Sequence, residues 1–170
     1  LAVMLPAGLR RDGRYAEQTG EAQGGIAKLW ARAAKQGPLP EVLVDYLDVV
    51  RRFNPRGDLT QYPGSPALAM EVLRSQDTLA LYEKHPTDER LLRGFVKGMP
   101  ADRAQAKVHM SDGFDAPLRD LPPRARRGLV LIDPSYEIKS DYARTLGAVR
   151  ECLRRFATGT IVVWYPRLQL

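Results

Sequence analysis

Asp133 and Tyr136 are the residues whose types and spacing most directly suggest chemistry in this 170-residue sequence. They close the run Gly128-Leu129-Val130-Leu131-Ile132-Asp133-Pro134-Ser135-Tyr136-Glu137. An ionised aspartate accepts hydrogen bonds and gives none. Asp133 can therefore hold an exocyclic amino group while the Pro134 carbonyl takes the second proton. Tyr136 can stack on the face of the ring that carries that group. An enzyme acting on a nucleobase must first take it out of its stack, and edge hydrogen bonds with aromatic stacking would then hold it. A purely structural alternative makes Asp133 a helix cap and Tyr136 a core residue.

The elements that must position this pair follow from the flanking pattern. Leu129 to Ile132 is too short for a helix and is bounded by Gly128 and Pro134, which predicts a short strand buried on both faces. Pro134 has no backbone N–H, so the ladder stops there. Asp133 and Tyr136 then stand just past the carboxyl end of a central strand, the edge where open α/β sheets place ligands.

Two further acids share that setting. Thr78 to Tyr82 predicts a strand with Glu83 at its end, where an acid can take ribose hydroxyls. Gln105 to Met110 predicts another, followed by Ser111-Asp112-Gly113-Phe114. Asp112 is placed to reach an adenine amino group, and Gly113 permits close approach. Asp-Gly is also an ordinary turn. In Tyr62-Pro63-Gly64-Ser65-Pro66, Ser65 before a proline reads as a helix cap. Gly64 and Ser65 can equally bring N–H groups and a hydroxyl to a charged ligand.

The rest of the chain supplies helices and strands in alternation, which argues for a parallel α/β sheet. Leu1 to Leu5 is an apolar stretch with strand character, and Pro6 to Gly13 is a basic turn. Ala16 to Lys35 reads as a helix, with Trp30 in its core rather than as a platform. Glu41 to Phe53 reads as a second, with Val42, Leu43, Tyr46, Leu47, Val49 and Val50 inward. His85-Pro86 opens a helix carrying Leu91, Leu92, Phe95 and Val96, with His85 a turn residue. A helix from Tyr142 to Phe156 is expected, its apolar positions including Leu146, Val149 and Leu153. Gly159 to Trp164 reads as a last strand that Pro166 ends. Arg124, Arg126 and Arg127 form a stiff basic connection expected beside the candidate site. The organisation expected is one domain over residues 1–170, with a helical subdomain at 16–60 and a sheet-and-helix core at 61–170.

Composition narrows the classes. Hydrophobic residues make up 44% and charged residues 27%, a globular balance rather than a disordered one. No apolar run approaches the roughly 20 residues of a membrane span, so no membrane association is expected. Leu1 to Leu5 lacks the basic leader of a signal peptide. Cys152 is the lone cysteine, which fits a reducing compartment, and a cytoplasmic monomer is expected. His85 and His109 are the only histidines, so no metal site is expected. The formal charge of +6, rich in arginine, favours a polyanionic partner.

Taken together, the motifs resemble a known family. Asp133-Pro134-Ser135-Tyr136 resembles the Asp-Pro-Pro-Tyr signature of amino-methyltransferases that use S-adenosylmethionine. With Tyr62 to Pro66, His85-Pro86, Asp112 to Phe114, Leu131 to Pro134, Arg155 to Thr160 and Trp164-Tyr165-Pro166, the chain from about Ala16 onward is similar to the ribosomal RNA large subunit methyltransferase J family. The resemblance implies a Rossmann-like methyltransferase sheet with a small helical insertion, here incomplete at both ends. It implies N6-methylation of an adenine in 23S ribosomal RNA. Ser65, Glu83, Asp112 and Gly113 would hold the donor. Asp133, Pro134 and Tyr136 would hold and orient the target amino group. Family members have also been connected with the use of external DNA as a nutrient.

Two departures stand out. Ser135 replaces the second proline of the signature, which loosens the loop between Asp133 and Tyr136. Leu1 to Gly13 does not match the acid and glycine-rich turn of the family's first motif. The rival readings are a nucleic-acid binder without catalysis and an inactive remnant.

Overall fold

The computed structural model of the chain describes residues 2–4, 24–35, 37–136 and 138–165. The elements are β1 (Ala2–Met4), α1 (Ile26–Lys35), α2 (Glu41–Arg52), α3 (Ser65–Val72), β2 (Thr78–Glu83), α4 (Pro86–Lys97), β3 (Gln105–Met110), α5 (Ala116–Asp120), β4 (Leu129–Ile132), α6 (Ser140–Phe156) and β5 (Thr160–Val163). A single 3-10 turn, Gly113–Asp115, leads into α5. The chain divides into two compact units, Leu9–Glu71 and Leu1–Gly8 with Val72–Leu170. Leu5, the turn at 6–13, the helical stretch at 16–23, Glu137 and Pro166, all named in the sequence reading, lie outside the described residues.

The larger unit is an α/β layer built on five parallel strands in the order β3-β2-β1-β4-β5. The alternating apolar runs dictate this. Leu79, Leu81 and Tyr82 are all buried although neighbours on a strand point to opposite faces, so β2 is covered on both sides. β1 lies at the centre, with Met4 level with Tyr82 on one side and Ile132 on the other. The chain leaves β1 towards β2 and β3, then returns across it to β4 and β5. That reversal is a topological switch point, and open α/β sheets bind their ligands at the carboxyl ends of the strands there.

The core of this unit joins Tyr82, Val130 and Ile132 of the sheet to Ala116, Leu121, Ala148, Cys152 and Phe156. Of the apolar positions named on α6, Val149 packs against this core. Leu146 and Leu153 are each 50% exposed, while Thr145, Ala148, Cys152 and Phe156 are buried. The buried positions keep the i, i+3, i+4 spacing of one helical stripe. Three of them are small, and with Phe156 they make the face that joins Tyr82, Val130 and Ile132, while the larger leucines stand about a quarter turn aside. Burial pushes the Cys152 thiol up to about 11, with the neighbouring Glu151 charge adding to it.

The smaller unit gathers Ile26, Leu47 and Val50 into its own core, with Leu29, Trp30, Ala33, Leu39, Tyr46 and Leu59 packed around them. Trp30 thus belongs to that core, and the Arg51 guanidinium lies 5.9 Å from its ring. Val42, expected inward, is 71% exposed, because the stripe centred on Leu43, Leu47 and Val50 leaves it about a quarter turn aside. Leu91 on α4 is likewise exposed while Leu92 is buried.

Candidate functional site

The carboxyl edge of the larger sheet collects the acids singled out from the sequence. Glu83 is the last residue of β2, and Asp133 is the first after β4. Both stand one residue beyond the Tyr82–Met4–Ile132 row, on the two strands that flank β1. Their backbones are therefore two ladder spacings apart, roughly 10 Å. Asp112 follows β3, whose Met110 is level with Glu83. Gly113 opens the 3-10 turn that Asp112 caps.

The three carboxylates have different surroundings. Glu83 is buried, and its Oε1 accepts the His85 N–H at 2.7 Å. Burial raises its pKa, and the backbone hydrogen bond from His85 works against that rise. Asp112 accepts the Phe114 N–H at 3.1 Å and an Arg144 guanidinium N–H at 2.6 Å, with Lys84 Nζ at 3.6 Å. Burial alone would raise the Asp112 carboxyl, but these hydrogen bonds and positive charges carry it below the ordinary range. Arg144 also sits 4.1 Å from the centre of the Phe114 ring and 3.8 Å from Asp141.

Asp133 is the exception. Among the described residues its carboxylate has no hydrogen-bond or ion-pair partner, and burial alone pushes its pKa up to about 6. An acid half removed from water with nothing to compensate it costs folding free energy. Such groups mark functional sites more often than structural ones. Helix capping does not account for it, since the residue before α6 is Lys139.

Tyr136 is held at φ +55°, in the left-handed region that a bulky side chain seldom adopts. Its hydroxyl donates to the Trp164 carbonyl at 2.9 Å and lies 3.5 Å from Thr145 Oγ1. Its ring meets that of Tyr142 at 4.7 Å with a 44° tilt. A strained backbone and a tethered hydroxyl together fix the ring in one place.

Two residues central to this arrangement, Arg144 and Trp164, escaped the sequence reading as site residues. Arg144 lies on a helix with no local sign of its role, and its Asp112 partner is 32 positions away. Trp164 was legible as the end of a strand and as part of the Trp164-Tyr165-Pro166 motif, with no role of its own attached.

One expectation is corrected by the sheet, and another falls in the other unit. The Arg124, Arg126 and Arg127 connection precedes β4, and Gly128 accepts the Thr160 N–H that opens β5. These arginines therefore sit at the amino edge of the sheet, away from Asp133, which corrects the expectation that they flank the site. The connection runs on from α5, which returns the chain from the carboxyl edge before β4 begins. Ser65 belongs to the smaller unit. The Gly64 carbonyl accepts the Leu68 N–H at 3.0 Å, so Gly64 holds the cap position and Ser65 is the first helical residue. Asn54, buried in that unit, organises the approach to this turn. Its Oδ1 accepts the Thr60 and Gln61 N–H groups at 2.8 Å, and its amide donates to the Val50 and Gln61 carbonyls. Among the described residues no cluster of histidine, cysteine and acidic side chains could hold a metal ion, and no helix is long and apolar enough to cross a membrane.

Comparison with known proteins gives concordant matches. A family model described as "Ribosomal RNA large subunit methyltransferase D, RlmJ" matches residues 7–170. Ribosomal RNA large subunit methyltransferase J of Escherichia coli K12 is 46% identical over 153 residues, covering 89% of this chain and 51% of that protein. The protein of the same name from Haemophilus influenzae is 43% identical over 158 residues, covering 92% of this chain and 53% of that protein. The chain thus spans about half the length of these relatives. The crystal structure of a Legionella pneumophila protein superposes with a TM-score of 0.80 at 34% identity, covering 97% of this chain and 59% of that one.

Proposed function

The chain belongs to the ribosomal RNA large subunit methyltransferase J family, and from that premise we propose that it carries the catalytic edge of an S-adenosylmethionine-dependent RNA methyltransferase. The reaction is N6-methylation of an adenine in 23S ribosomal RNA, on a Rossmann-like sheet whose helical subdomain precedes β2. The observation that carries the reading is Asp133, a half-buried carboxylate with no partner among the described residues, at the switch point of a parallel sheet.

The donor set fits the proposed co-substrate. Glu83 is an acid fixed at the end of the second strand, which suits a ribose diol. Asp112 is kept ionised by Arg144 and Lys84, and Phe114 and Arg144 take only two of a carboxylate's roughly four acceptor directions. An adenine amino group can take another, with Gly113 beside it. When bound, S-adenosylmethionine supplies an electrophilic methyl group.

The chain's own residues do the rest. Tyr136, fixed by its backbone and its tethered hydroxyl, is the face on which the extruded adenine stacks. Asp133 and the Pro134 carbonyl accept the two N6 protons, which turns the nitrogen lone pair towards the methyl group. The reacting atoms are thereby held in line, a contribution of roughly 7–11 kcal/mol at best. As the nitrogen gains positive character, ionised Asp133 stabilises it and can receive the departing proton. An unpaired carboxylate with a pKa near 6 is ionised at neutral pH and still basic enough for this work.

Asp133→Ala tests the reading. Methyl transfer to 23S ribosomal RNA should fall on the order of a thousandfold or more, while calorimetric binding of S-adenosylmethionine persists. Transfer at the parent rate by that variant would overturn the assignment of Asp133. RNA binding without any donor binding by the parent chain would favour a non-catalytic binder.

A further inference from the structure

Trp164 is anchored by its backbone and open at its side chain. Its N–H donates to the Ile132 carbonyl at 3.0 Å, which carries the β4–β5 ladder one step past the Ile132–Val163 pair. Trp164 is therefore level with Asp133 on the neighbouring strand, one ladder spacing or about 4.8 Å away. Its carbonyl accepts the Tyr136 hydroxyl at 2.9 Å. The same residue is thus tied to the strand that delivers Asp133 and to the ring beyond it.

The indole gains nothing comparable from the fold. It is 68% exposed, although burying so large an apolar side chain is among the most favourable things a fold can do. Val163, one residue earlier, packs against the core beneath α6. Successive strand side chains alternate in direction, so Trp164 turns away from that core. Its hydrogen bonds would be equally well made by any residue with a backbone N–H and carbonyl. The tethers fix where the indole starts, and the exposure leaves its π-face available beside Asp133, whose carboxylate has no partner among the described residues.

We propose that Trp164 is a nucleobase-stacking residue of this site, taking the flat face of an RNA base next to Asp133. The inference takes RNA as partner from the methyltransferase reading, but stacking itself needs neither the methyl donor nor a competent Asp133. Stacking of a base on an aromatic ring is worth about 1–3 kcal/mol by alanine substitution, which corresponds to roughly 5- to 150-fold in affinity. The base is either the target adenine, placed between two aromatic groups, or a neighbouring base of the same strand.

The test is intrinsic fluorescence with no methyl donor present, comparing the parent chain with Trp164→Phe and Trp164→Ala. Titration with a short single-stranded RNA containing adenine should quench the parent. The quench should disappear in both variants, because the other tryptophan, Trp30, belongs to the core of the smaller unit. Affinity for the RNA should fall roughly tenfold in Trp164→Ala and be largely restored in Trp164→Phe, whose ring still stacks. Melting temperatures should stay close to the parent, since the indole is mostly in solvent. Free adenosine separates the sources. Quenching by adenosine assigns the target base, and quenching by RNA alone assigns a neighbour. An indole already shielded from acrylamide in the free protein would overturn the proposal, as would unchanged RNA affinity in Trp164→Ala. Methyl transfer with an unchanged KM for RNA in Trp164→Ala would remove the stacking role and leave the methyltransferase reading standing. RNA-dependent quenching in a chain that binds no donor would do the reverse.

Discussion

The two ends of β4 place charge under opposite conditions. At the carboxyl end, Asp133 is half withdrawn from water, has no partner among the described residues, and titrates near 6. At the amino end, Arg124, Arg126 and Arg127 crowd three positive charges into four positions, exposed and likewise without partners among the described residues. Their turn is closed by the Arg126 N–H on the Pro123 carbonyl at 2.9 Å, with Arg126 at φ +51°. Nearby on α6, Arg154 and Arg155 are both matched to Glu151. Absence of a partner means different things at the two ends. In water an unpaired charge is solvated at little cost, whereas a half-buried one is under tension that only a ligand or a proton relieves. The carboxyl edge is therefore where chemistry is expected, and the amino edge is where long-range attraction of a polyanion is expected.

The largest effect that could break this contrast concerns the proton on Asp133. Burial raises its folded-state pKa to about 6, above the ordinary carboxylate range. Below that pH the carboxylate gains a proton and loses its charge as an acceptor, so methyl transfer should fall about tenfold per pH unit on the acid side of 6. Asp133→Asn keeps an acceptor oxygen but cannot titrate. It should retain part of the activity and lose this acid limb. Stability runs the other way. With its folded pKa raised, Asp133 makes the native state bind more protons than the unfolded chain between about 4 and 6. The parent should then gain stability as pH falls through that window. Asp133→Asn should accordingly melt higher than the parent at pH 8, and the gap should shrink towards pH 4. A pH-independent gap would place the tension elsewhere.

Arg144→Ala probes the paired acid of the same edge. Removing the guanidinium takes away the 2.6 Å hydrogen bond to Asp112 and the contact over Phe114, and leaves Lys84 as the nearby charge. The Asp112 carboxyl should titrate higher, and affinity for S-adenosylmethionine measured by calorimetry should weaken about tenfold, as for the loss of one charge-assisted hydrogen bond. Arg144→Lys should recover little, because the ammonium cannot reproduce the planar stack. Unchanged donor affinity in Arg144→Ala would detach Asp112 from the donor.

The sheet and the edge were legible in the sequence because both rest on local signals. Short apolar runs ended by Asp133, Glu83 and Ser111-Asp112 fix strands and their carboxyl ends without knowledge of the fold. Helix faces were less legible. On α6 the large aliphatic side chains Leu146 and Leu153 are half exposed, while Thr145, Ala148, Cys152 and Phe156 carry the buried stripe. That choice depends on what faces the helix. The same holds for the arginine connection. Its proximity to Asp133 in sequence suggested proximity in space, yet an intervening strand carries the chain to the opposite edge. The parts of Arg144 and Trp164 at this edge were not legible for a related reason, since each meets a partner that only the assembled sheet brings near.

A smaller effect should come from Gly159, beside the amino edge. A Cβ at this position would lie 2.3 Å from the Phe156 ring, which is itself part of the core. Gly159→Ala must push that ring aside, a strain of about 1–3 kcal/mol for overpacking. The melting temperature should drop by several degrees, with donor affinity unchanged. A loss of donor affinity without a loss of stability would show the two edges to be coupled.

The smallest effect should come from replacing Arg124, Arg126 and Arg127 together by Gln. All three are exposed and their guanidinium groups have no partner among the described residues, so stability should be unaltered. If they draw RNA to the amino edge, affinity at physiological salt should weaken only a few-fold, because exposed charges are screened beyond about 8 Å. The salt dependence is the sharper reading. Each lost phosphate contact to a single strand removes about 0.7 from the slope of log affinity against log salt, so the slope should shrink by about 2. The rate at saturating RNA should not change, since these residues lie a strand's length from Asp133. Had they flanked the site as the sequence suggested, the loss would appear in that saturating rate instead, and the division of labour between the two ends of β4 would fail with it.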